Sequence, residues 1–208
     1  MMRLPAAARL WLLAVVLPCV LVACAVRPPE PTPELPAEVL YEQRISRLTA
    51  YNHWRTSGRA AFNTEQDNAS MSMQWRQTEN HWVLDLRGPL GSGSVRLEGN
   101  AAGVVLRGSD GTVEEADDGQ ELLYRYTGYA IPVDVLRDWL RGMPSPEYDV
   151  ELEMDEYGRP TELEQLGWHI RYTAWSSING TYMPARISME GPGIDVRASL
   201  REWELGRD

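Results

Sequence analysis

The chain contains no lysine, a single phenylalanine, two cysteines and three histidines among its 208 residues. All 20 basic residues are therefore arginine, a skew that points to base composition rather than to function. The cysteines exclude a disulfide framework, because Cys19 lies inside an N-terminal apolar run and only Cys24 follows it. Also missing are a G-x-S-x-G elbow, an H-E-x-x-H pair, a C-x-x-C and a P-loop, so none of the common catalytic constellations is spelled out. "GSGSVR" at 91–96 lacks the third glycine of a dinucleotide loop and runs into a strand pattern, which makes it a turn. His53, His81 and His169 each adjoin a tryptophan at strand positions; alternation then directs the histidines outward, against a metal site. No 20–50-residue repeat is visible, and no second apolar segment long enough to span a membrane follows the first.

What is present begins with a leader. Arg3 and Arg9 precede "LWLLAVVLPCVLV" (10–22), an apolar run short for a bilayer span and suited to a secretory signal. It closes on "LVAC", where small residues stand before Cys24 in the order that lipid transfer to a cysteine requires. The expected organisation is a lipoprotein signal peptide (1–23), an acylated Cys24 with a Pro-rich tether (24–36), and one domain (37–208). Without Arg3 and Arg9 the mature chain would carry 18 arginines against 30 acidic residues, a net charge of −12. That balance argues against nucleic-acid binding and against electrostatic docking on anionic lipid. The tether, with five prolines in "AVRPPEPTPELP", favours polyproline geometry and a reach of roughly 35 Å.

"PAEVLYEQRISRLTAY" carries Val39, Leu40, Ile45, Leu48 and Tyr51 on a helical stripe behind a proline, which predicts an N-terminal helix. From Trp54 the period changes to two. "WRTSGRAAF", "MSMQWRQ", "WVLDL", "VRL", "VVL", "VELEM", "WHIRYTA", "ARISME" and "IDVRASLREW" each place apolar residues on one face. Turn signals such as "NAAG", "SDG", "SING" and "EGPG" separate them too closely for crossover helices, so the sheet should be an antiparallel meander of ten or eleven strands. "NGT" at 179–181 reads as a hairpin turn rather than a glycosylation site. One region breaks the pattern: "DDGQELLYRYTGYAIPVDVLRDWLRG" predicts a helix capped by Asp117 or Asp118 and a second short helix from Pro132 to a stop at Gly142. A mainly β fold follows, a highly curved sheet with one open mouth and helices across it.

The mature chain holds seven tryptophans and several methionines at inward strand positions, residue types that adapt to irregular apolar guests. A lipid-chain cavity and a well-filled core both fit that composition. The acidic runs "VEEADD" and "ELEMDE" leave a paired-carboxylate hydrolase open, though nothing selects it. Within "GPLGSG" (88–93), Leu90 stands alone among turn-formers that belong at a wet surface.

Read in order, Trp54 with "SGRAA", Trp75, "GPLGSG", "TGYAIPVDVLRDWLRGMP", "GWHIRY", "MPARI" and Trp203 resemble the LolB family of outer-membrane lipoprotein receptors. The resemblance covers nearly the whole mature chain and carries no catalytic signature. It implies an unclosed antiparallel β-barrel of about eleven strands with a helical lid. It also implies an apolar cavity for the acyl chains of another lipoprotein, lined by residues such as Trp75, Trp82, Leu84, Leu97, Leu136, Trp139, Trp168 and Tyr172. The implied protein is a monomer on the periplasmic face of the outer membrane, held there by lipid on Cys24. It takes cargo from the soluble carrier LolA and inserts it into the inner leaflet, with neither cofactor nor metal and as no enzyme. Pro89, Leu90 and Gly91 would form the membrane-insertion loop. Ala25 at position +2 of the mature chain suits outer-membrane delivery. A structural or envelope-assembly lipoprotein is the competing expectation.

Overall fold

A computed structural model describes residues 32–206. The signal segment, Cys24 and most of the tether lie outside the described residues.

Helix α1 (Ala37–Thr49) starts directly after Pro36, whose carbonyl accepts from Leu40 N at 3.1 Å. Eleven strands follow: β1 (His53–Asn63), β2 (Asn68–Thr78), β3 (His81–Arg87), β4 (Ser94–Asn100), β5 (Gly103–Gly108), β6 (Val113–Ala116), β7 (Glu151–Met154), β8 (Pro160–Gln165), β9 (Trp168–Ile178), β10 (Thr181–Gly191) and β11 (Ile194–Gly206). They form one antiparallel sheet in the order β6-β5-β4-β3-β2-β1-β11-β10-β9-β8-β7. The first and last strands thus meet at its centre, and β6 and β7, consecutive in the chain, are its two edges. Two helices join those edges: α2 (Gly119–Thr127) and α3 (Val133–Trp139). The sheet remains unclosed because this helical connection, not a ladder of hydrogen bonds, spans the gap.

Period-two alternation explains the faces. In β1 Trp54 and Ala60 point inward, in β2 Met73, Trp75 and Gln77, and in β3 Trp82, Leu84 and Leu86. Alternation alone would put Leu200 and Trp203 on opposite faces, yet both are buried. A bulge reconciles them: Ser57 faces Glu202 while Gly58 faces Leu200, so Arg201 is the extra residue and the strand bends. Gly58 permits the approach, since a side chain there would overlap the Ser199 carbonyl.

Two strands were not individually legible. β6 (VEEA) and β8 (PTELEQ) are short and mostly polar, with too few apolar residues for a period to show. β6 and β7 each carry two glutamates, which blunts both sheet edges against pairing with another chain. The two acidic runs are therefore edge strands at opposite ends of the sheet order. Asp118 caps α2, accepting from Gln120 N at 2.7 Å and Glu121 N at 3.2 Å, and Gly128 ends it in the left-handed conformation.

Candidate functional site: an apolar interior under a helical lid

The concave face of the sheet and the underside of the lid enclose a cavity of about 40 Å³. Every residue on its wall is apolar. β1, β2 and β3 contribute Ala60, Phe62, Met73, Trp75, Leu84 and Leu86, and β9, β10 and β11 contribute Trp168, Met189, Val196 and Ala198. The lid supplies Leu123, Ile131, Val133, Leu136 and Leu140. A space this small holds a few methyl groups, far less than a fatty-acyl chain. The interior is thus nearly filled, and occupation by a long chain requires the lid to move.

Of the eight expected lining residues, Trp75, Leu84, Leu136 and Trp168 touch this cavity. Trp82, Leu97, Trp139 and Tyr172 are buried in the walls behind it, because lid contact and curvature, not burial alone, select the lining. Trp203, Trp54, Trp75 and Trp82 form a continuous ladder across four neighbouring strands, with successive ring centroids 5.7, 6.0 and 5.2 Å apart. This ladder fills one flank of the interior, and Trp139 against Trp168 (6.0 Å) fills part of the other.

The lid is attached unevenly. At the C-terminal end of α3, the Trp139 indole N–H donates to Gln165 Oε1 at 2.9 Å, and the Tyr172 hydroxyl donates to the Trp139 carbonyl at 2.9 Å. Arg141 donates to Asp138 at 2.6 Å and to the Leu48 carbonyl of α1 at 3.2 Å. Arg44, from α1, donates in turn to the Arg141 carbonyl at 2.6 Å and to the Tyr182 carbonyl, with its guanidinium over the Trp175 ring. Burial is the main cause that pushes the Arg44 pKa down to about 10 and that lowers Arg141 as well, the latter opposed by Asp138. Burial also holds the Tyr172 hydroxyl far above the ordinary phenol range. Helix α2 buries Leu122 and Leu123, and its polar ties are the Tyr126 hydroxyl to Asp110, Gly119 N donating to Asp134, and an exposed Arg125–Glu114 pair at 3.7 Å that contributes little in water. The buried polar anchors are concentrated at the α3 end of the lid. Gln165 was not among the residues singled out in the sequence; only its alternation with Leu163 hinted at an inward position.

The turn 88–93 lies outside this interior. Residues 89–92 make a tight turn closed by Ser92 N donating to the Pro89 carbonyl at 3.0 Å. Leu90 is fully exposed and has φ 53° and ψ 24°, a left-handed conformation that strains a residue with a Cβ and a γ-branch. The chain thus holds a bulky apolar side chain in water on a strained turn, with no packing in return.

The family model described as "Outer membrane lipoprotein LolB" matches residues 52–203. The chain belongs to the LolB family. It is 44% identical over 187 residues to the outer-membrane lipoprotein LolB of Alkalilimnicola ehrlichii, covering 89% of this chain and 92% of that one. Identity to LolB of Halorhodospira halophila is 35%, over 91% and 92% of the two chains. A solved structure of a LolA superfamily protein from Nitrosomonas europaea shares the fold with a TM-score of 0.56 at 13% identity, covering 84% of this chain and 94% of that one. This LolB relative is accordingly an outer-membrane lipoprotein with a role in lipoprotein sorting. Its unclosed eleven-stranded sheet and N-terminal helix agree with the fold that the resemblance implied.

Proposed function

We propose that this LolB domain receives lipoproteins from the carrier LolA by taking their acyl chains under the α2–α3 lid, and releases them into the inner leaflet of the outer membrane. Leu90 carries the reading. Full exposure on a strained turn is costly for folding alone and makes sense for a side chain whose working partner is lipid. The wholly apolar interior supports the other half: it offers acyl chains a dry environment and no group that would hold a headgroup. Transfer runs downhill without a nucleotide, since each buried methylene contributes ~0.8 kcal/mol and a modest difference in depth between two cavities biases direction. The protein acts as a monomer, tethered by acylated Cys24, and does no covalent chemistry.

Leu90→Glu tests the reading. The variant should match the parent in urea unfolding and in uptake of lipidated cargo by native mass spectrometry, yet fail to deliver cargo to liposomes. Normal delivery by Leu90→Glu, or equal uptake of lipidated and unlipidated cargo, would sink it.

A further inference from the structure

Four non-glycine residues among the described ones have left-handed backbone: Glu79, Leu90, Leu166 and Asn179. Their distribution over the sheet is not even. Because all neighbouring strands are antiparallel, the turns after β1, β3, β5, β8 and β10 lie at one end and those after β2, β4, β7 and β9 at the other. Glu79 and Asn179 occupy turns at the second end; both are polar. Leu90 and Leu166 occupy turns at the first end; both are leucine.

The comparison is sharpest between two hairpins of the same build. Asn179–Gly180 joins β9 to β10 with φ values of 51° and 77°, the Asn-Gly pair that such a turn favours. Leu166–Gly167 joins β8 to β9 with φ values of 56° and 74°. The backbone is the same, but the position that holds asparagine in the first hairpin holds a leucine, 44% exposed, in the second. Turn geometry does not call for leucine there, and nearly half of its surface remains in water. In strand order β3 and β8 are separated by five strands, so Leu90 and Leu166 stand on opposite flanks of one rim.

We propose that Leu166 is a second membrane-contacting side chain, and that the rim bearing Leu90 and Leu166 is the edge of the domain that meets the bilayer. The inference rests on the reading of Leu90 given above. The two turns between them, at 64–67 with Glu65 and Asp67 and at 192–193 with Pro192 and Gly193, carry no large apolar side chain, so contact is made by two apolar flanks rather than by a continuous apolar edge. Two separated points define a tilt as one point does not. They orient the interior relative to the leaflet while leaving the domain free to detach when cargo has gone.

The acylated full-length protein, reconstituted in phosphatidylethanolamine and phosphatidylglycerol vesicles, provides the test. A single cysteine is introduced at Leu90, Leu166 or Asn179 and labelled with an environment-sensitive fluorophore. Quenching by lipid spin-labelled near the top of the acyl chain is expected at 90 and 166 and absent at 179. Quenching at 90 but not at 166 would overturn this inference and leave the Leu90 reading standing; absence at both would remove the two together. Leu166→Asn supplies a label-free arm. It should equal or exceed the parent in thermal stability, because asparagine suits the turn, and should slow cargo release to vesicles severalfold. A variant that melts early would show that Leu166 serves packing, and one that releases at the parental rate would show that it serves neither lipid nor transfer.

Discussion

The Trp82 indole lies flat over Gly99, the residue that faces it across β3 and β4. A Cβ at Gly99 would enter the ring, and Trp82 cannot swing away because its other face stacks on Trp75. The same device recurs at the opposite flank, where Trp168 covers Gly191. Gly99→Ala is expected to lower unfolding stability by about 1–3 kcal/mol through overpacking, with a change in tryptophan emission. Urea unfolding followed by fluorescence measures both, and an unchanged midpoint would contradict the packing described.

Gln165 is the polar pin of the lid. Its Oε1 accepts from Trp139 Nε1 and from Ser145 N, both at 2.9 Å, and its Nε2 donates to the carbonyls of Ser145 and Tyr148, both at 3.0 Å. Gln165→Leu keeps the volume and strands two buried donors, so stability should fall by about 2–4 kcal/mol. Amide exchange should rise across α3 and residues 140–148 while the β1–β2 ladder stays protected. Protection lost evenly over the sheet would show that Gln165 does not anchor the lid in particular.

Alkaline stability should separate Tyr172 from Arg44. Above pH ~10 an unfolded tyrosine loses its proton while buried Tyr172 keeps it, so this group costs ~1.4 kcal/mol of stability per pH unit. Arg44 acts with the opposite sign: its folded pKa of about 10 lies below the ordinary guanidinium value, so above pH 10 the unfolded state binds the extra proton and stability rises. Tyr172→Phe removes the Tyr172 contribution and leaves those of Arg44 and the other shifted groups. That variant should be about 1 kcal/mol less stable than the parent at pH 8, having lost the bond to the Trp139 carbonyl, and should overtake it between pH 10 and 11. Parallel stability curves for the two proteins would refute the assignment.

Filling the cavity should stop uptake without unfolding the domain. Ala198 lies on the wall near the middle of the sheet, and the three carbons added by Ala198→Leu exceed the 40 Å³ available. Stability is expected to fall by about 1–3 kcal/mol, leaving the domain folded, while native mass spectrometry finds little lipidated cargo bound. Undiminished uptake would place the acyl chains elsewhere.

What the sequence determined by itself was local. Period-two alternation identified nine strands and their inward faces, and helical spacing with its caps located α1, α2 and α3 to within a residue or two. The isolation of Leu90 among turn residues sufficed to place it in water. These signals depend on neighbours a few residues away. Tertiary structure decided the rest: that β1 and β11 pair at the centre with a bulge at Arg201, that Trp75 lines the cavity while Trp82 and Leu97 stand behind it, and that Gln165 holds the lid. It also decided that Leu90 and Leu166 share one rim. Each of those relationships joins residues far apart in the chain, and sheet curvature and strand order, which no short window of residues contains, bring them together.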